Sequence, residues 1–186
     1  MERRLAAILA ADVVGYSRLM EQDEAGTFER LRQRRTELVE PAIARHHGRI
    51  FKLMGDGLLA EFGSAVDAVE CAAAIQQALA SANSDLPGQK RIEFRIGVHV
   101  GDVIVEGEDR HGEAVNIAAR LQQIAQPGGI CVSRRVMGLA RQKVALGFDL
   151  LGEERFKNMA EPVAVYSIQL DGRPSQENPP LPSKPS

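Results

Sequence analysis

The chain has 186 residues, enough for one domain and a short extension, and its 44% hydrophobic and 26% charged residues are typical of a globular protein. A formal net charge of −2 gives no overall attraction to nucleic acid or to an anionic membrane surface. Cys71 and Cys131 are too few for a disulfide framework or a structural zinc site, so we expect two buried thiols in a reducing compartment. No apolar run approaches the roughly 20 residues that span a bilayer, and we expect a cytoplasmic protein.

Strand and helix patterns alternate along the chain up to residue 170. Strands are expected where apolar residues run together or alternate, and helices where they recur every three or four positions. The order is βαββαβ followed by further strands, which predicts an α+β fold, a ferredoxin-like βαββαβ sandwich with appended C-terminal strands. The predicted elements are strand Leu5–Ala11, a helix broken at Pro41, strands Ile50–Met54 and Leu58–Phe62 around a turn at Gly55-Asp56-Gly57, a helix that begins after Ser64, strand Ile92–Val100 with a turn at Gly101-Asp102 into strand Val103–Glu106, a helix over Glu113–Ala125, and strands Ile130–Ser133, Val144–Leu151 and Val163–Gln169.

The last 16 residues, 171–186, differ in composition from the rest of the chain. They hold five of its nine prolines and almost no apolar side chains. Such a segment cannot bury enough surface to offset the entropy of ordering it. We therefore expect residues 1–170 to form the folded domain and residues 171–186 to form a flexible Pro-rich tail, or a linker to a regulatory domain outside this chain.

Two acidic residues stand out by their position. Asp12 directly follows the apolar run Leu5–Ala11, where an uncompensated carboxylate is costly, and Asp56 lies between two glycines at the tip of the predicted hairpin. In a ferredoxin-like sheet the first strand pairs beside this hairpin, so the two carboxylates converge at one edge, where a divalent cation relieves their repulsion. The structural alternative is that Asp12 caps a loop and that Asp56 is a turn residue.

Three further polar residues cannot be assigned a role from their own positions alone. Lys52 alternates with Phe51 and Leu53, a pattern typical of a solvated residue on an edge strand. Asn116 and Arg120 are four positions apart and share a helix face, where an amide and a guanidinium suit a phosphoryl group. Their spacing alone fits a solvated helix flank equally well.

Five segments together carry a family resemblance: LAADVVGYSRLM, GRIFKLMGDGLLAEF, FRIGVHVGDVIVEG, GEAVNIAARLQ and GEERFKNMAEPVAVY. In this order and spacing they resemble the catalytic domain of class III nucleotidyl cyclases, in particular the bacterial adenylate cyclase branch. The resemblance covers nearly all of residues 5–169. It implies conversion of ATP to 3′,5′-cyclic AMP and pyrophosphate by two-metal, in-line attack of the ribose 3′-hydroxyl on the α-phosphate.

The resemblance assigns metal-binding and purine-binding roles by position. Asp12 and Asp56 match the two metal-binding aspartates, with the backbone carbonyl of Val13 as a further ligand, which implies two divalent cations, Mg²⁺ or Mn²⁺. Lys52 and Asp109 match the pair that reads the purine. A lysine donor and a carboxylate acceptor suit adenine, whereas guanine demands the opposite polarity.

The resemblance also assigns the residues around the phosphates. Asn116 and Arg120 match the two transition-state residues, the amide orienting the ribose and the arginine contacting the α-phosphate. Lys157 lies near the family's triphosphate-binding lysine. Gly129 departs from the pattern, because some relatives carry an arginine against the triphosphate at this position.

The family architecture implies a head-to-tail homodimer, in which one subunit supplies the metal-binding aspartates and its partner supplies the purine and transition-state residues. This chain carries both sets, so two equivalent sites for ATP are expected, with no nucleic acid or membrane partner. Two alternatives stay open. A catalytically silent nucleotide-sensing or dimerisation module is disfavoured because every matched catalytic position is occupied, and a guanylate cyclase is disfavoured by Lys52 and Asp109.

Overall fold

The computed structural model describes residues 2–157 and 159–170; the predicted tail, residues 171–186, lies outside the described residues. The fold is of the α+β class, as predicted, with helices on both faces of one sheet. Its elements are β1 (Glu2–Val13), α1 (Tyr16–Gln22), α2 (Glu24–Arg34), a π-helical turn (Arg35–Val39), α3 (Glu40–Arg45), β2 (Arg49–Met54), β3 (Gly57–Phe62), α4 (Ala65–Asn83), a 3₁₀ turn (Gly88–Lys90), β4 (Phe94–Glu106), β5 (Asp109–His111), α5 (Glu113–Ile124), β6 (Ile130–Ser133), α6 (Arg134–Ala140), β7 (Gly147–Glu154) and β8 (Val163–Gln169).

The described strands form one sheet in the order β2-β3-β1-β4-β6-β8-β7, and β5 adds to β4. Neighbouring strands are antiparallel except β4 and β6, which are parallel. The central strand β1 pairs with β3 on one side and with β4 on the other. This arrangement places the β2–β3 hairpin directly beside β1, as the ferredoxin-like order predicts.

Alternate residues of β1 pack against different helices, because successive side chains of a strand point to opposite faces. Ala7, Leu9 and Ala11 belong to the larger core, which is covered by α4 and α3, together with Ile96 and Val98 of β4. On the other face, the even-numbered alanines and Ile8 of β1 contact the apolar side of α5, in a smaller core that includes Val103 and Ala118. Both faces of β1 are therefore buried, which explains its continuous apolar run.

Two predicted helix features are confirmed. The Ser64 hydroxyl accepts hydrogen bonds from the amides of Val66 and Asp67 and caps α4. The kink or local break expected near Pro41 corresponds to the π-helical turn, through which the backbone stays right-handed helical into α3, with the proline near the start of α3.

The turn predicted at Gly101-Asp102 is wrong, since β4 runs unbroken through both residues and Gly101 lies opposite Ala6 of β1. A Cβ at Gly101 would approach the Cβ of Ala114 to 3.2 Å, so the glycine serves the close packing of α5. Helix α6 was not predicted, and the strand expected at Val144–Leu151 begins at Gly147 and extends to Glu154.

The cysteines and the helices agree with the composition. Cys71 and Cys131 are buried free thiols, and burial raises the pKa of each to about 12, so neither is a reactive thiolate at neutral pH. None of the described helices is both long enough and apolar enough to cross a bilayer.

Candidate active site

Asp12 and Asp56 are brought together by the pairing of β1 with the β2–β3 hairpin. Asp12 is the penultimate residue of β1, within the strand and not after it, and lies opposite Gly57. The amide of Val13 donates a 2.7 Å hydrogen bond to the carbonyl of Asp56, which fixes the hairpin tip against the strand. A Cβ on Gly57 would collide with the carbonyl oxygen of Ala11, so glycine is required for this close approach.

The pKa of Asp12 depends on its burial and on the neighbouring carboxyl group of Asp56. The pKa of Asp12 is raised to about 6. Burial is the largest cause, followed by the charge of Asp56 and a hydrogen bond between the two carboxyl groups. The amide of Val13 and the charge of Arg95, which lies opposite Asp12 in the β1–β4 register, act in the other direction. The arrangement concentrates negative charge at a place where little solvent screens it.

The donor set fits a divalent cation. Asp12 Oδ1 is buried and has no hydrogen-bond partner among the described residues, so this oxygen is left for a ligand such as a cation. No group of three or more His, Cys, Asp or Glu side chains in the described ranges converges on a metal position. Two carboxylates are what Mg²⁺ uses when substrate phosphates and water complete its coordination. The carbonyl of Val13 as a further ligand stays a prediction.

The residues expected at the purine are exposed on neighbouring elements. Lys52 lies on β2 and Asp109 begins β5, and an ion pair of 3.5 Å between Arg49 and Glu108 connects the same two segments. Asp109 Oδ1 accepts a 2.8 Å hydrogen bond from the amide of Arg110, which orients the carboxylate. Both side chains are therefore accessible to a ligand.

Helix α5 presents Asn116 and Arg120 on its solvent side. The opposite side is apolar, and Ile117 and Leu121 are almost completely buried against the sheet. The guanidinium of Arg120 donates from Nε and Nη2 to Oε1 of Glu154, the last residue of β7, at 3.0 and 2.8 Å. The sequence reasoning missed Glu154, since two consecutive glutamates resemble solvated surface residues.

Lys157 and Gly129 are the other two positions that the resemblance relates to the triphosphate. Lys157 is exposed and lies three residues after Glu154. Gly129 packs in the turn before β6, where its carbonyl accepts a 2.8 Å hydrogen bond from the side chain of Gln76. Arg95 lies opposite Asp12 in the β1–β4 register, a position that is visible only in the folded sheet.

Asp12 lies on β1 and Glu154, which holds Arg120, lies on β7, four strands away in the sheet order. At a strand spacing of about 4.8 Å these two strands are roughly 19 Å apart. Helix α5, which carries Asn116 and Arg120, packs against β1 and β4 between them.

Comparison with known proteins points to one family. Residues 3–169 match the model described as "Adenylate and Guanylate cyclase catalytic domain". A Rhizobium meliloti (strain 1021) protein named "Putative adenylate cyclase 3" is 48% identical over 193 residues, covering 100% of this chain and 33% of that protein. An adenylate cyclase of Streptomyces coelicolor is 33% identical over 142 residues, covering 71% of this chain and 33% of that protein. The chain thus spans about a third of the length of these two curated relatives.

Solved structures of cyclase domains share the fold. The adenylate/guanylate cyclase/hydrolase from Silicibacter pomeroyi superposes with a TM-score of 0.84 at 46% identity, covering 91% of this chain and 98% of that one. The adenylyl cyclase CyaB from P. aeruginosa superposes with a TM-score of 0.76 at 21% identity, covering 96% and 99%.

Proposed function

From the premise that the chain belongs to the adenylate and guanylate cyclase catalytic domain family, we propose that it is an adenylate cyclase. It converts ATP to 3′,5′-cyclic AMP and pyrophosphate at sites shared between two copies of the chain. The observation that carries the proposal is the buried Oδ1 of Asp12, which has no hydrogen-bond partner among the described residues and belongs to a carboxyl group beside Asp56. A buried carboxylate with only a structural role would accept hydrogen bonds from other groups of the protein.

Asp12 and Asp56 would hold the two divalent cations, Mg²⁺ or Mn²⁺, with the carbonyl of Val13 as a further ligand. When bound, such cations neutralise charge on the triphosphate and lower the pKa of the ribose 3′-hydroxyl. The protein's contribution is a pair of carboxylates fixed by the β1–β3 pairing, so that little reorganisation is needed when the nucleotide arrives.

The reaction itself is a displacement at phosphorus. The ribose 3′-oxygen forms a bond to the α-phosphorus while the bond to the oxygen bridging to the β-phosphate breaks, and pyrophosphate leaves with that electron pair. The hydroxyl proton passes to water or to a phosphate oxygen of the substrate, so no side chain serves as general base. Asn116 orients the ribose, and Arg120 neutralises charge developing on the α-phosphoryl oxygens, a contribution of about 10²–10³ in rate for one donor.

Lys52 and Asp109 select adenine. The lysine donates to a ring-nitrogen acceptor, and the carboxylate accepts from the exocyclic amine. Both side chains are exposed, and the Arg49–Glu108 ion pair holds their segments together. Lys157 contacts the triphosphate, as its match to the family's lysine implies.

A head-to-tail homodimer, as the family resemblance implies, is part of the proposal. Asp12 and Asp56 of one copy complete a site with Asn116 and Arg120 of the other, and two-fold symmetry then generates two equivalent sites. The chain carries both sets, so no second protein is needed for chemistry.

The deciding experiment is a cyclase assay of the purified protein with ATP and with GTP, each with Mg²⁺ and with Mn²⁺. Cyclic AMP formation that exceeds cyclic GTP formation supports the proposal, and the Asp56→Asn protein controls for contaminating cyclases. Nucleotide binding with no cyclic product under either metal would favour the silent module. Faster turnover of GTP would show a guanylate cyclase and refute the assignment of Lys52 and Asp109.

A further inference from the structure

We propose that Glu154 is a positioning residue, which holds the guanidinium of Arg120 in the orientation that meets the α-phosphate. The inference rests on the proposed function, because it assigns a role to Arg120 in that reaction. It adds a residue to which the resemblance assigns no role and that the sequence alone does not distinguish from its neighbour Glu153.

The contact has the geometry of a fixed support. Arg120 Nε and Nη2 both donate to Oε1 of Glu154, at 3.0 and 2.8 Å, and Arg120 Nη1 donates to the side-chain oxygen of Gln123 at 3.1 Å. Hydrogen bonds between charged groups of this length are about twice as strong as neutral ones. Three contacts on one planar group leave it little freedom to rotate.

The burial of the pair is asymmetric. The side chain of Glu154 is only 9% exposed, whereas that of Arg120 is 43% exposed. The carboxylate is therefore part of the rigid edge of the sheet, and the arginine extends from it into solvent. A buried carboxylate that lost its cation would be strongly unfavourable, which keeps the arginine in place before the nucleotide arrives.

The donors that remain point to the ligand. An arginine has five N–H donors, and three are used within the described residues. The remaining two are one on Nη1 and one on Nη2, which are not used in these contacts and can donate to oxygens of a phosphate.

This arrangement predicts a loss of turnover with retained binding. In Glu154→Gln, the amide keeps the volume and one acceptor oxygen but loses the charge that anchors Arg120. We expect kcat to fall about tenfold to a hundredfold, the effect of losing one charge-assisted hydrogen bond, with KM for the metal–ATP complex changed by less than about threefold. Binding of 3′-deoxy-ATP, which cannot cyclise, should be unchanged. Glu153→Gln, an exposed neighbour, should behave as wild type.

A double-mutant cycle separates positioning from general damage to the fold. In an Arg120→Ala background, Glu154→Gln should reduce kcat by less than about twofold, because the residue through which it acts is gone. A full additional loss in that background would overturn the inference. Activity of Glu154→Gln equal to or above that of Glu153→Gln would overturn it as well.

Mixing experiments place Glu154 in the same half of the site as Arg120. Glu154→Gln mixed with Asp56→Ala should gain activity, since the mixed dimer contains one intact site, and Glu154→Gln mixed with Arg120→Ala should not. If Glu154→Gln does not fold, Glu154→Asp carries the test, with a severalfold loss of kcat expected at unchanged KM because the shorter carboxylate cannot keep both contacts. An inactive wild-type protein would refute the proposed function, whereas an active wild type with an indifferent Glu154 would refute only the inference.

Discussion

The amide of Val13 donates to the carbonyl of Asp56 at 2.7 Å, so the strand that carries one candidate metal ligand is hydrogen-bonded to the turn that carries the other. The two carboxylates are thereby held close despite their repulsion, and the pKa of Asp12 rises to about 6 through burial and through Asp56. Folding energy from the surrounding sheet maintains an arrangement that is unfavourable by itself, as is common at functional sites.

Asp12→Asn should abolish catalysis and stabilise the metal-free protein. The substitution removes one of two charges that bind cations, so we expect cyclic AMP formation to fall at least about a hundredfold. It also removes the repulsion with Asp56, so the melting temperature without metal should rise. A cyclic AMP assay measures the first effect and calorimetry without metal measures the second, with Asp85→Asn, which changes an exposed carboxylate, as the control. A variant that keeps wild-type activity would show that Asp12 does not bind the cations.

Asp56→Ala and Asn116→Ala should each be inactive alone and active when mixed. In a shared site, a mixed dimer contains one intact site and one doubly defective site. With random exchange of subunits, we expect about a quarter of wild-type activity from an equimolar mixture. Asn116→Ala mixed with Arg120→Ala is the matched negative control, because both defects then fall in the same half of every site. Absence of recovery in the first mixture, with subunit exchange verified by differently tagged chains, would contradict the shared site.

Strand alternation and turn chemistry were enough to predict the α+β class and the hairpin beside β1. The pattern failed at Gly101, because glycine in a strand that packs closely on a helix looks the same in sequence as glycine in a turn. Helix α6 was missed since its seven residues are too few to show a period.

Residues of the candidate site could be predicted where the signal lies in neighbouring positions of the sequence. Residues that join the site only through strand register or long-range contacts could not. Asp12 and Asp56 were found from an acid at the end of an apolar run and an acid between glycines. Arg95 lies opposite Asp12 only through the β1–β4 register, and Glu154 reaches Arg120 from a strand that follows it by more than thirty positions, as the side-chain contact shows. Long-range partners of this kind leave no signal in a single sequence.

His99 should make the protein less stable in mild acid. Burial, with a contribution from Arg135, lowers its pKa to about 4, and its Nδ1 lies 2.7 Å from the hydroxyl of Ser133. In the unfolded chain its pKa is about 6.5. Below that pH the imidazole of His99 binds a proton in the unfolded chain but stays neutral in the folded protein. This contribution to stability is complete above about pH 6.5 and is lost progressively down to about pH 4.

Urea unfolding at pH 7 and pH 5 tests this expectation. The wild type should lose about 2 kcal/mol more than His99→Gln between these two values, because glutamine does not titrate. His111→Gln, which changes a half-exposed histidine on β5, should follow the wild type. Equal pH dependence of wild type and His99→Gln would mean that the buried ring is protonated in the folded state.

Gly97→Ala should separate α5 from the sheet. A Cβ at this position in β4 would collide with backbone atoms of Ala118 and Gln122, which cannot move without shifting the helix. Overpacking of this kind costs about 1–3 kcal/mol in unfolding free energy, and here activity should fall as well, since α5 carries Asn116 and Arg120. Gly138→Ala is the matched control, because a Cβ there meets nothing within 4 Å and alanine favours the helix α6. If Gly97→Ala unfolds at the same urea concentration as Gly138→Ala, α5 does not lie against the β4 backbone as closely as the sheet register requires.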